Sequence, residues 1–171
     1  MKINTKSTLT AAMLTALAVS LSTFAIPIGA SKCFPIQHLC NVIAGVFLGP
    51  GYGVAMAFCT SLIRNLIGTG SPLAFPGSMV GAFLCGFLYQ HTGKLAAAYF
   101  GEVFGTGIIG GLLCYPVATL LMGQEAALFA YVIPFLISTA GGTVMAMILV
   151  GALYQSGAMS YLKGVLGGTA R

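Results

Sequence analysis

Leu95-Ala-Ala-Ala-Tyr-Phe-Gly-Glu-Val-Phe-Gly-Thr-Gly-Ile-Ile-Gly-Gly-Leu-Leu-Cys-Tyr-Pro-Val-Ala-Thr-Leu-Leu-Met122 carries a single formal charge, Glu102. As a helix rising 1.5 Å per residue it is long enough to cross the roughly 30 Å hydrocarbon core of a bilayer. The stretch from Ala126 to Tyr154 that follows is equally apolar and has no charge at all. The same pattern extends towards the N-terminus, where no formal charge separates Lys6 from Lys32 or Lys32 from Arg64. With 7 basic and 2 acidic residues in 171 and a mean hydropathy of +1.00, no hydrated, charged exterior can be assembled. The solvent is therefore lipid.

At about 20 residues per crossing, the chain has room for several spans and no separate soluble domain; residues 1–171 read as one membrane domain. The basic surplus forms no patch, so nucleic acid is not expected as a partner. The five cysteines (Cys33, Cys40, Cys59, Cys85 and Cys114) include no Cys-x-x-Cys pair and read as packing residues, leaving no metal site. Lys2 and Lys6 ahead of an apolar run resemble a secretory signal. The run from Ser7 to Ile28 is longer than a usual signal core, and Ile28-Gly29-Ala30 makes a poor cleavage site, so a retained first helix is expected.

Breakers divide the chain into six expected helices: Ser7 to Ile28, Ile36 to Leu48, Tyr52 to Ile67, Gly77 to Tyr89, Leu95 to Met122 and Ala126 to Tyr154. The second is short, rising about 20 Å, and must be extended, tilted or enclosed by protein. The expected fold is thus an all-α integral membrane bundle of six transmembrane helices. Six crossings put both termini on one side with Lys2, Lys6, Lys94, Lys163 and Arg171, against Lys32 and Arg64 on the other. By the positive-inside rule the termini are cytoplasmic. Loops 29–35 and 68–76 then face outward. Helices five and six carry Gly110-Gly111 with Pro116, and Pro134 with Gly141-Gly142, which predicts matched kinks in their outer halves.

Three polar clusters interrupt this apolar background. Lys32, Gln37, His38 and Asn41 form the first, and their spacing lets the last three address one side of a helix. Ser61, Arg64 and Asn65, followed by Gly68-Thr-Gly-Ser71, form the second. Glu102 with Thr106 forms the third, and an acidic group within a span points to binding or coupling. Each has a plainer reading: Lys32 as a solvated loop charge, Arg64 snorkelling to the interface, and Asn and Ser as interhelical glue. Gly105-Thr-Gly-Ile-Ile-Gly110 matches a dinucleotide fingerprint literally but lies in an apolar run with no strand before it, so it signals helix packing. No Walker A motif occurs, and two carboxylates set far apart give no acid–base pair. An enzyme is not expected.

The segments Lys32-Cys-Phe-Pro-Ile-Gln-His38 with Asn41, Arg64-Asn-Leu-Ile-Gly-Thr-Gly-Ser-Pro-Leu-Ala-Phe-Pro-Gly-Ser78 and Gly101-Glu-Val-Phe-Gly-Thr-Gly-Ile-Ile-Gly110 resemble the ThiW-type substrate-binding S component of an energy-coupling factor (ECF) transporter. The resemblance covers nearly the whole chain and is most specific over residues 64–78. It implies an ABC-type importer in a prokaryotic plasma membrane that takes up hydroxyethylthiazole, the thiazole precursor of thiamin. The implied partners are a transmembrane coupling subunit and two cytoplasmic ATPases; no cofactor is implied. Loop 29–35 (with Lys32, Cys33, Phe34 and Pro35) would gate an outward site. Gln37, His38, Asn41, Arg64, Asn65, Ser71, Phe75 and Glu102 would bind the ligand or hold the gate. Ala12-Met-Leu-Thr-Ala16 matches the family's Ala-x-x-x-Ala docking pattern. Alternative expectations are an S component for another small neutral vitamin or precursor, and a stand-alone secondary carrier.

Overall fold

The computed structural model describes residues 4–28, 31–125 and 127–166. Among these the chain forms seven helices and one short hairpin. Helix α1 (Thr5–Ser20) is capped by the Asn4 side chain, which accepts from the Lys6 N–H. A 3-10 turn (Leu21–Thr23) leads into strand β1 (Ile26–Ile28), which pairs antiparallel with β2 (Ser31–Cys33) in the register Ile26↔Cys33. Helices α2 (Pro35–Leu48) and α3 (Pro50–Leu66) each start on a proline, whose missing N–H is one that no first turn can use. Between them stands Gly49 alone, at φ +84°, a left-handed value that glycine adopts without strain. Helix α4 (Ala74–Thr92) is followed by α5 (Leu95–Leu121), α6 (Val132–Gln155) and a short α7 (Ala158–Val165).

Helices α5 and α6 are long and apolar enough to cross a membrane. The outer surface is oily along other helices too: Leu9, Met13, Phe58, Leu62, Phe83, Phe87, Phe100 and Ile148 are exposed. Polar groups go inward instead, among them Asn41, Ser61, Arg64, Glu102, Thr106 and Thr139 at 0% exposure. This inside-out distribution belongs to a protein dissolved in lipid. The short α2 is its centre. Ten of its 14 residues are buried, enclosed by α3, α4 and α6. Protein, not bilayer, surrounds the segment that is too short to span comfortably.

The first helix ends at Ser20, not Ile28. Pro27 has no N–H to extend a helical ladder, and its β-branched neighbours Ile26 and Ile28 suit the strand that forms instead. The expected loop 29–35 is in large part this hairpin; residues 29 and 30 lie outside the described residues. The last long helix begins at Val132 rather than Ala126, so Pro134 sits in its first turn, where it costs no hydrogen bond. The matched kinks are therefore not built as expected. The irregularity lies in α5 alone, which passes through two π-helical stretches, Val103–Gly110 and Val117–Leu121. Helix α4 starts at Ala74, ahead of Pro76, by the same first-turn logic.

The helix ends sort into two poles. At one, Pro27 and Lys32 of the hairpin meet Gly68, Thr69, Gln124 and Tyr131 around a shallow depression. At the other, Asn4 donates to the Leu166 carbonyl at 2.9 Å, its N–H reaches the Tyr52 hydroxyl at 2.9 Å, and Lys163 bonds the Tyr89 hydroxyl at 2.6 Å. The N-terminal and C-terminal described segments thus meet at the pole opposite the hairpin.

Candidate functional site

The first turns of α2 lie directly beneath the hairpin, and their side chains face a small cavity. The Phe34 N–H is held by the Ser138 hydroxyl at 2.8 Å, and Cys33 donates to the Pro134 carbonyl at 3.3 Å. Together these tie the hairpin's return strand to the start of α6. Helix α6 comes close because Gly142 has no side chain: a Cβ there would lie 2.6 Å from the Cβ of His38. The cavity is lined by Lys32, Phe34, Gln37, His38, Arg64 and Ser71, and by Leu73, Ala74, Ser78, Phe135 and Ser138. Its volume is about 40 Å³, room for one or two waters.

Arg64 closes one side. It sits in the last turn of α3, where the helix dipole favours a cation, and it is wholly buried. Its guanidinium donates to the Gln37 side-chain oxygen and, at 3.3 Å, to the Thr69 carbonyl. The Phe34 ring lies 3.6 Å from the guanidinium carbon, a cation–π contact that caps the cavity. No carboxylate lies within ion-pair distance of Arg64 among the described residues, and its Nε has no hydrogen-bond partner there. Gln37 also reaches Ser61 at 3.4 Å, which meets Ser78 at 3.1 Å.

Behind His38 lies Glu102, wholly buried on α5. One carboxylate oxygen, Oε1, accepts from Asn41 Nδ2 at 3.0 Å and from the Thr106 hydroxyl at 3.1 Å, and lies 2.9 Å from His38 Nδ1. The other oxygen has no partner among the described residues. Gly101 lets α5 approach α4 this closely, since a Cβ there would lie 2.7 Å from the Leu84 backbone. The π-helical turn that follows carries Thr106 towards α4, where its one hydroxyl hydrogen is shared between Glu102 Oε1 and the Gly77 carbonyl at 3.2 Å.

Of the residues expected from sequence, Lys32, Phe34, Gln37, His38, Arg64 and Ser71 share this cavity. Asn41 and Glu102 stand behind it and do not line it. Asn65 clamps the following loop, donating to the Ser61 and Ser71 carbonyls at 2.7 and 3.0 Å. Phe75 packs on Phe58 at 5.6 Å and is not in the cavity lining. Cys33 and Pro35 hold the hairpin base against α6. Ala12 and Ala16 are exposed in a separate apolar groove with Thr8, Val19, Ala55 and Cys59, between α1 and α3. Sequence reasoning missed Leu73, Ala74, Ser78, Phe135 and Ser138. Only the hydroxyls of Ser78 and Ser138, polar groups in apolar runs, offered a signal.

Two comparisons bear on this arrangement. The family model described as "Thiamine-precursor transporter protein (ThiW)" matches residues 8–156. A solved structure described as "Structure and mechanism of the S component of a bacterial ECF transporter" is similar in fold at a TM-score of 0.72. It is 21% identical, over 88% of this chain and 96% of that one. No curated protein matches the sequence.

Proposed function

The chain belongs to the ThiW family of thiamine-precursor transporter proteins, and from that premise we propose that it is the substrate-binding S component of an ECF-type importer for hydroxyethylthiazole. The observation that carries the ligand is the chemistry of the cavity. Its lining offers His38, Gln37, Arg64, Lys32 and serine hydroxyls against the rings of Phe34 and Phe135, with no carboxylate among the described residues. A cation such as thiamin would want acidic groups or large aromatic faces. A neutral thiazole alcohol asks for a partner for its hydroxyl, a donor for its ring nitrogen and an apolar wall.

The ligand has about nine heavy atoms, so tight binding at the ceiling of about 1.5 kcal/mol per atom requires nearly complete burial. The small cavity supports a closed form in which Phe34 over Arg64 is the lid; both side chains swing aside to admit the ligand. In the bilayer, α1 to α6 act as the six crossings, with the hairpin pole outward and the pole of Asn4 and Lys163 cytoplasmic. The cell membrane is that of a prokaryote. Transport energy comes from two cytoplasmic ATPases through a transmembrane coupling subunit.

In proteoliposomes holding the chain with a coupling subunit and ATPases, labelled hydroxyethylthiazole accumulates only with ATP inside the ATPase-facing compartment. Accumulation by the chain alone, driven by a pH gradient and abolished by Glu102→Gln, would establish a proton-coupled carrier instead. Ala12 and Ala16 carry the docking proposal. Replacing both by Leu fills the groove between α1 and α3 that they line. The double variant is expected to bind ligand as wild type does but to lose co-purification with the coupling subunit and at least about 90% of uptake, since bulky groups forbid the close approach that small residues allow. Normal uptake would remove α1 as the docking face.

A further inference from the structure

We propose that Glu102 is a positioning residue, which holds the Nδ1–H of His38 so that Nε2 faces the cavity as a hydrogen-bond acceptor and selects a ligand donating a hydroxyl hydrogen there. This rests on the reading of the chain as a binding subunit for a small neutral alcohol.

The direction of each bond follows from the donors. Asn41 Nδ2 contacts two oxygens, the Ser78 carbonyl at 3.3 Å and Glu102 Oε1 at 3.0 Å. A backbone carbonyl only accepts, so the amide orientation is fixed, and its NH₂ donates to Oε1 as well. Oε1 is thus an acceptor, with the carboxyl ionised or with a proton on Oε2. The Oε1 contact to His38 Nδ1, at 2.9 Å, then requires the hydrogen on Nδ1. A neutral imidazole has one N–H, and placing it on Nδ1 leaves a lone pair on Nε2. His38 lines the cavity while Glu102 does not, so Nε2 is the ring nitrogen available to a ligand.

The acceptor at His38 and the donor at Arg64 define a polarity across the pocket. A hydroxyl hydrogen belongs at His38, and an acceptor, such as a ring nitrogen, at the guanidinium. An ether or a phosphate ester of the same alcohol presents only oxygen lone pairs to Nε2, and a site built to accept a hydrogen bond rejects such analogues.

Two measurements on the full chain test this. The first is ¹⁵N-histidine NMR of the protein in nanodiscs, tractable because there are only 2 histidines and His91→Gln removes the exposed one. The Nδ1–H neutral tautomer of His38 is expected. The Nε2–H tautomer or the imidazolium would overturn the proposal, whatever the ligand. The second is titration with hydroxyethylthiazole and with its O-methyl ether. Wild type is expected to prefer the alcohol by about tenfold or more. Glu102→Gln keeps that ratio, since its amide oxygen can accept the same hydrogens, whereas folded Glu102→Leu brings it close to one. Equal binding of alcohol and ether by wild type, or an unchanged ratio in Glu102→Leu, contradicts the assignment. Binding of neither probe by wild type overturns the ligand reading of the preceding section, and the tautomer result still decides the role of Glu102.

Discussion

Replacing Arg64 by Met is expected to weaken hydroxyethylthiazole binding by roughly 30- to 100-fold while leaving the ligand-free protein at least as stable as wild type. The two effects separate because Arg64 is buried without a counter-ion among the described residues. A charge at the bilayer centre costs roughly 2.5 to 3.5 kcal/mol even on lenient scales, and less towards a helix end such as this one. Its offsets are two side-chain hydrogen bonds, the Phe34 ring and the end of α3. Methionine keeps the apolar stem and removes the desolvation cost, which offsets the loss of the two hydrogen bonds at about 1 kcal/mol each. The ligand loses a charged donor, worth about 2 to 3 kcal/mol, and the lid loses its seat. Thermal unfolding in detergent and calorimetric titration read the two quantities separately. A parallel fall in both would mean that Arg64 serves the fold and not the site.

Gly81→Val is expected to cost about 3 kcal/mol of stability and to abolish binding. A Cβ at Gly81 would lie 2.9 Å from Glu102 Oε2 and closer still to the Thr106 hydroxyl. Neither group has room to retreat, since both are wholly buried. The added side chain therefore forces α4 from α5 or displaces the carboxylate that orients His38, and overpacking of this kind typically costs 1–3 kcal/mol. Gly151→Ala is the matched control, because a Cβ on that face of α6 meets nothing within 4 Å. It should unfold and bind as wild type does. Equal tolerance of both substitutions would show that the space around Glu102 is not as restrictive as the geometry requires.

Much of this architecture was legible in the sequence because lipid imposes a simple rule: apolar side chains can face it, and charges need an internal reason. That rule located α5 and α6 and marked Arg64 and Glu102 as positions to explain. Proline and glycine located the turn around Gly49-Pro50, and the polar run from His91 to Lys94 the turn after α4. The rule says nothing of what happens at the poles, where local chemistry competes with helix formation. Pro27 turned the end of the first apolar run into a strand. Pro134 read as an interior breaker and Pro76 as the last residue of a loop, but both fall in first turns, where they cost nothing.

The site was legible as a set of residue types, not as a geometry. Gln37 and His38 stood out because each is three or four residues from Asn41, a spacing that lets all three address one side of a helix. Arg64 was found because it is charged. Spacing along one helix cannot tell a cavity wall from the layer behind it, and this is why Asn41 and Glu102 read as ligand contacts although both stand behind His38. Of Phe34 and Phe75, the two rings that sequence offered as an apolar wall, Phe34 lines the cavity together with Phe135 and Phe75 does not. Phe135 lies on α6, and only the packing of that helix over α2 through Gly142 brings it in.

Calorimetric titration of the detergent-purified chain, alone, with hydroxyethylthiazole and with thiamin in parallel tests the central claim most directly. Tight one-to-one binding of the thiazole alcohol with little response to thiamin is the predicted result. Preference for thiamin, or binding of neither compound, would contradict a cavity built from His38, Gln37 and Arg64 for a small neutral precursor.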